Sequence, residues 1–321
     1  MNVRRQLIPV AATVATVLGA ATLTSCSSDS AAAGNTDKFD VVASFYPMAF
    51  LAEQIGGDHV NVTSLTEPGT EPHDLDVSAQ KRAQLEEADA ALYLAGLQPA
   101  VDEAVKQSGT KTKIDAAKLT TLEDLGVEDE HGHGGEEASE EASEEGEHAL
   151  DPHIWLDPVK YAEVAKGVGA AFEKADPDHA ADYKKNTDAL VKKLGDLDTA
   201  FADGLKNTET KVFFTNHAAF GYLAARYGLT QEAISGLDPE SEPSPARIKE
   251  LQEEAKADGV TTVFYETLVS DKTAKTLAKD ANLKTDVLDP VEGITDKSRG
   301  DDYFAVMEAN LTALKTALGA K

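Results

Sequence analysis

The sequence predicts an α/β protein of two (β/α) lobes with parallel sheets, and three observations carry that expectation. From Phe39 onward short apolar runs alternate with longer amphipathic segments, the strand-then-helix order that builds parallel sheets covered by helices. The alternation gives way to one long helical stretch near the middle of the chain and then restarts. The chain has 321 residues and 41% hydrophobic content, enough for two domains of ordinary size with a core each.

Taken in order, residues 40–44 read as a strand, and 47–55 follow with Phe50, Leu51 and Ile55 at helical spacing. Residues 60–65 are strand-like, 79–87 helical, 90–95 a buried strand, 100–107 a helix and 111–114 a short strand. Residues 158–174 have helical periodicity, and 177–205 place Tyr183, Leu190, Leu194, Leu197 and Phe201 at spacings of three, four and seven. Gly195 is the weak point of that long helix, costing about 1 kcal/mol relative to alanine. The second half then runs strand 211–215, helix 218–227, strand 231–235, helix 245–257, strand 261–265, helix 271–281, strand 284–288 and helix 303–318. Ligands of such sheets bind outside the carboxyl ends of the strands.

Two segments stand apart from the alternation. The N-terminus opens with Arg4 and Arg5, continues through an apolar run to Leu23 and reaches Leu23-Thr24-Ser25-Cys26, the layout of a secretory signal. The Leu-x-small-Cys pattern resembles a bacterial lipobox, which implies a signal peptide of residues 1–25, a lipid-modified Cys26 and a flexible tether over 26–38. Residues 128–148, EDEHGHGGEEASEEASEEGEH, are acidic, Gly- and Ser-rich and almost free of apolar side chains, so they cannot fold alone. His131, His133 and His148 with the surrounding glutamates are donors for weak, reversible metal binding.

A formal net charge of −27 argues against nucleic acid and anionic membrane surfaces as partners and favours cations. Cys26 is the single cysteine, so once it serves as the anchor no thiol is left for a disulfide or a thiolate metal site. A metal must then be held by nitrogen and oxygen. Three histidines sit at loop or element-end positions in distinctive surroundings: His73 in EPHDLD, His153 in DPHIWLDP and His217 in TNHAAFGYL. Proline before His73 and His153 holds Glu71 and Asp151 extended and fixes how each histidine enters its site. Neutral imidazoles in such a set suit Zn²⁺ in a four-coordinate site, which still requires a fourth donor. His59 and His179 lack comparable surroundings and read as surface residues.

The motifs EPHDLD, DPHIWLDP and TNHAAFGYLAARYGL resemble those of the cluster A-I solute-binding proteins of ABC transporters, in particular the ZnuA-like zinc group, from Phe39 to the C-terminus. That resemblance implies an N-terminal lobe over 39–176, a long rigid linking helix over 177–205, a C-terminal lobe over 206–321 and a metal site at the lobe interface. It implies His73, His153 and His217 as ligands, with histidine at 217 favouring zinc because manganese members typically carry glutamate there. In Leu288-Asp289-Pro290-Val291-Glu292 it offers Glu292 as the fourth ligand, with Asp289 as the alternative, and Glu266 as a carboxylate that orients an imidazole. It also implies an auxiliary metal-gathering role, outside the primary site, for the loop 128–148. Trp155 reads as a packing residue between the lobes.

The implied protein is an extracytoplasmic, membrane-anchored monomer that delivers Zn²⁺ to an ABC permease and its cytoplasmic ATPase, without enzymatic activity. The same fold serves manganese and iron(II) binders, which form the principal alternative. A zinc hydrolase is disfavoured because HExxH is absent and four protein donors would fill the water position that catalytic zinc keeps open. A surface adhesin is neither supported nor opposed by the residues.

Overall fold

The computed structural model describes residues 38–125 and 150–321. The signal segment 1–25, Cys26, nearly all of the tether and the acidic loop 128–148 with His131, His133 and His148 lie outside the described residues.

The first lobe runs β1 (Phe39–Ala43), α1 (Tyr46–Gly56), β2 (Val60–Ser64), α2 (Ala79–Glu87), β3 (Ala90–Tyr93), α3 (Pro99–Gln107) and β4 (Thr112–Asp115). Its strands form a four-stranded sheet in the order β2-β1-β3-β4, with every pairing parallel. Two long helices follow, α4 (Pro158–Ala175) and α5 (Ala180–Leu205). The second lobe runs β5 (Val212–Thr215), α6 (Gly221–Tyr227), β6 (Thr230–Ala233), α7 (Pro245–Ala257), β7 (Thr262–Tyr265), α8 (Lys272–Ala281), β8 (Lys284–Val287) and α9 (Tyr303–Ala317). Its sheet order, β6-β5-β7-β8, repeats the first and is again parallel throughout. The fold is therefore the two-lobed α/β architecture that the alternation predicts.

Two helix starts lie three residues later than the sequence reading, and the other boundaries shift by no more than about two. The long helix begins at Ala180 rather than at 177, because Pro177–His179 form a separate 3₁₀ turn with His179 Nδ1 bonded to Asp176 Oδ2 at 2.8 Å. The helix expected from 218 begins at Gly221, since Ala218 N–H donates to Gly236 O and Phe220 has left helical geometry (φ −96°, ψ 18°).

One face of α5 carries the buried residues Tyr183, Thr187, Leu190, Leu194, Leu197, Phe201 and Leu205, three or four residues apart, as an amphipathic helix requires. It packs along α4, where Gly169 leaves room for Thr187; any Cβ at 169 would collide with that hydroxyl. The largest core cluster is not confined to one lobe. It runs from Val41, Leu51 and Ile55 through Phe172 and Leu194 to Phe213, Phe264, Leu288 and Met307. Smaller clusters cover the outer faces, with Val42, Leu85 and Val101 in the first lobe and Phe214, Leu251 and Leu277 in the second.

Candidate metal centre

The four residues that converge all come from the carboxyl-terminal side of strands or from the segment that joins the lobes. His73 lies in the loop after β2, His153 just before the 3₁₀ turn Ile154–Leu156, His217 two residues after β5 and Glu292 in the loop after β8. Their donor atoms all lie within 4.8 Å of one another. Glu292 Oε1 stands 3.4 Å from His73 Nε2 and 3.5 Å from both His153 Nε2 and His217 Nε2. A tetrahedral zinc ion with arms of about 2.0–2.1 Å holds neighbouring donors about 3.3 Å apart. The three Nε2 atoms and both Glu292 oxygens are buried without a hydrogen-bond partner, the arrangement a shared cation would satisfy.

Two of the rings are held from behind by buried carboxylates. Asp151 Oδ1 accepts from the backbone N–H of His153 and pairs with its Nδ1, both at 2.8 Å. Glu266 Oε1 pairs with His217 Nδ1 at 2.7 Å and accepts from Asn216 Nδ2 at 3.0 Å. An acceptor at Nδ1 places the ring proton there and leaves Nε2 as the inward lone pair. His73 is held through its backbone: Glu71 Oε1 accepts its N–H at 3.0 Å, and Gln98 Nε2 donates to Pro72 O at 3.0 Å.

Electrostatics match this geometry. Burial alone would suppress charge on His153 and His217, but Asp151 raises the pKa of the first, Glu266 raises that of the second well above its ordinary value, and Glu292 contributes to both. Burial would likewise raise Glu292, yet the three facing imidazoles hold it well below the usual carboxylate range. Access lies along His73, whose side chain is 10% exposed while Glu292 is fully enclosed.

Of the two acids in the β8 loop, the structure brings Glu292 into the group and turns Asp289 away from it. Asp289 Oδ1 accepts the Val291 N–H at 2.8 Å and Oδ2 accepts the Thr267 hydroxyl at 3.0 Å, so the side chain folds its own loop. Glu266 lies behind His217, outside the donor group. The sequence reading gives Asp151 only a backbone restriction by Pro152, and the structure adds its bond to the His153 ring. An acid two residues before the histidine, present at both Glu71-Pro72-His73 and Asp151-Pro152-His153, was the available signal. His59 and His179 are partly exposed and lie outside the donor group. Their rings stack 4.1 Å apart, with His59 bonded to Asp182 and His179 to Asp176.

Three imidazoles and one carboxylate enclosed between parallel-sheet lobes form a nitrogen- and oxygen-donor group whose size and chemistry fit a divalent metal ion. The chain belongs to the ZnuA family, described as zinc-uptake complex component A, periplasmic, whose sequence profile matches residues 41–317. It is 39% identical over 302 residues to the zinc-binding lipoprotein AdcA of Streptococcus pneumoniae, a match that covers 91% of this chain and 58% of AdcA. It is 36% identical over 291 residues to the high-affinity zinc uptake system protein ZnuA of Bacillus subtilis, covering 89% of each. Among solved structures, the Zn(II)-bound ZnuA-like domain of S. pneumoniae AdcA superposes with a TM-score of 0.71 at 35% identity, covering 88% of this chain and 99% of that one. The laminin-binding protein Lmb of Streptococcus agalactiae, described as a bifunctional adhesin and metal transporter, gives 0.75 at 31% identity, covering 87% and 99%. The chain thus spans a little over half of the AdcA relative and nearly the full length of the other three.

Proposed function

We propose that this protein captures Zn²⁺ outside the cytoplasm and delivers it to an ABC-type permease served by a cytoplasmic ATPase. The observation that carries the reading is the convergence of three unpartnered Nε2 atoms on Glu292 Oε1 at 3.4–3.5 Å. In this reading His73, His153, His217 and Glu292 exchange the waters of the ion for three nitrogens and one oxygen. Asp151 and Glu266 fix the tautomers, and the buried surroundings keep water out. The ion is cargo rather than a catalytic group, and four protein donors leave no position for a reacting water.

A lipid-modified Cys26 would hold the protein at the outer face of the membrane, with 26–38 as tether, 39–176 and 206–321 as lobes and 177–205 as the connection. The loop 128–148 would gather metal without forming the primary site. The protein acts as a monomer in this account.

An imidazole-dominated donor set favours zinc over manganese, which prefers carboxylate and water and stands below zinc in the affinity order. Competition titration of the protein with Zn²⁺ and Mn²⁺ tests this, alongside His73→Ala, His153→Ala and His217→Ala. The expected result is one tight zinc site that excess Mn²⁺ does not displace and that each substitution weakens. Preferential Mn²⁺ binding, or unchanged zinc affinity in all three variants, would overturn the assignment.

A further inference from the structure

The loop that carries Glu292 contains an unfavourable backbone conformation. Val291 is fully buried and has φ +59°, in the left-handed region that a β-branched side chain strongly disfavours. Such a conformation persists only where the surroundings over-determine it. Four of the restraints come from the second lobe itself. Asp289 Oδ1 accepts the Val291 N–H, the Thr267 hydroxyl donates to Asp289 Oδ2, and Asn310 both accepts from Asp289 N–H at 2.9 Å and donates to Asp289 O at 2.7 Å.

The fifth restraint comes from elsewhere. The indole Nε1–H of Trp155 donates to Pro290 O at 2.7 Å, two residues before Glu292 and from a side chain two residues after His153. Trp155 is itself fixed: Tyr303 OH donates to its backbone carbonyl at 2.7 Å, and Phe45 packs edge-on against its ring with centroids 5.0 Å apart. A packing role alone would not require an indole, since a phenyl ring could fill apolar space; the N–H is what ties the two ligand-bearing segments together.

We propose that Trp155 is a positioning residue for the fourth donor, its hydrogen bond to Pro290 making the placement of Glu292 depend on the segment that carries His153. This deepens the zinc-capture reading and rests on it. When the two segments are engaged, the carboxylate is held against the three imidazoles. When they separate, the strained turn relaxes and withdraws Glu292 first, leaving a three-histidine site from which zinc leaves faster. Release is thereby coupled to the seating of Trp155 through its indole hydrogen bond to the Glu292 loop.

The test compares zinc dissociation into excess chelator for the parent protein, Trp155→Phe, Glu292→Ala and the double variant, with visible spectra of the Co²⁺-loaded forms. Trp155 is the only tryptophan in the chain, so biosynthetic replacement by the benzothiophene analogue deletes just the N–H and serves where the phenylalanine variant folds poorly. Removing the N–H is expected to speed zinc release at least tenfold and to shift the Co²⁺ spectrum towards that of Glu292→Ala. The double variant is expected to release zinc no faster than Glu292→Ala alone. Parental release after loss of the N–H, or a further acceleration by Trp155→Phe when Glu292 is already absent, would overturn the coupling. Unchanged release in Glu292→Ala would instead overturn the site reading, and the coupling with it.

Discussion

At the scale of single residues, each imidazole in the group turns one nitrogen inward, and His153 and His217 have the other engaged by a buried acid. Substituting such an orienting carboxylate typically lowers metal affinity about 10–100-fold. Glu266→Gln keeps the shape and loses the charge, so zinc affinity measured by competition should fall within that range; an unchanged value would remove Glu266 from the account. Proton linkage gives a second prediction. The pKa values of His153 and His217 are raised, so their contribution to the stability of the metal-free protein is full below about pH 6.5 and is lost as pH rises through the folded-state pKa. Glu292 is depressed, so its contribution is present above about pH 4.3 and is lost as pH falls through its folded-state pKa. Zinc requires the deprotonated rings, so the gain in Tm on adding zinc should widen from pH 5.5 to pH 8. A gain independent of pH would contradict this linkage.

The histidines were legible in the sequence because each stands at an element boundary, His73 and His153 after an acid–proline pair and His217 between two apolar runs. For the fourth position only the family resemblance put Glu292 ahead of Asp289; the residues alone left both open, since the two acids share one short loop. What separates them is three-dimensional: Asp289 has both oxygens engaged by Val291 and Thr267, and no local pattern announces a threonine 22 residues away.

At the scale of elements, most strands and helices followed from apolar runs and the 3.6-residue period. The departures have local causes. Residues 218–220 are apolar at helical spacing, yet Ala218 gives its N–H to Gly236, and α6 starts at Gly221, where a Cβ would press into Asp151 and Leu125. The same α6 holds the segment before His153. Tyr222 OH donates to Asp151 O and accepts from Glu123 N–H, both at 2.8 Å. In α5, Gly195 is exposed with open space around the position of its missing Cβ. Gly195→Ala should therefore stabilise the protein by about 0.5–1 kcal/mol in chemical denaturation. A destabilised variant would show that the helix bends or packs there in a way the structure does not contain.

At the scale of the whole molecule, the shared core argues against wide opening. Phe50 of α1 lies 5.4 Å from Tyr303 of α9, and Tyr303 lies 4.9 Å from Tyr161 of α4, so aromatic packing joins the lobes beside α5. Parting the lobes widely would expose these rings to water, whereas rearranging one loop would not. Small-angle scattering of the metal-free and zinc-loaded protein should give radii of gyration that differ by less than about 1 Å, on a scale where a domain of 100 residues has a radius near 13 Å. A larger contraction would indicate hinge closure.

In the proposed reading, three imidazoles and one carboxylate take up a single zinc ion between the lobes. Zinc K-edge X-ray absorption on protein loaded with one equivalent tests it most directly. The predicted spectrum is four-coordinate, with three imidazole nitrogens and one oxygen at about 2.0–2.1 Å, and loses imidazole scattering in His217→Ala. A six-coordinate, oxygen-dominated shell, or a spectrum unchanged by that substitution, would contradict the account.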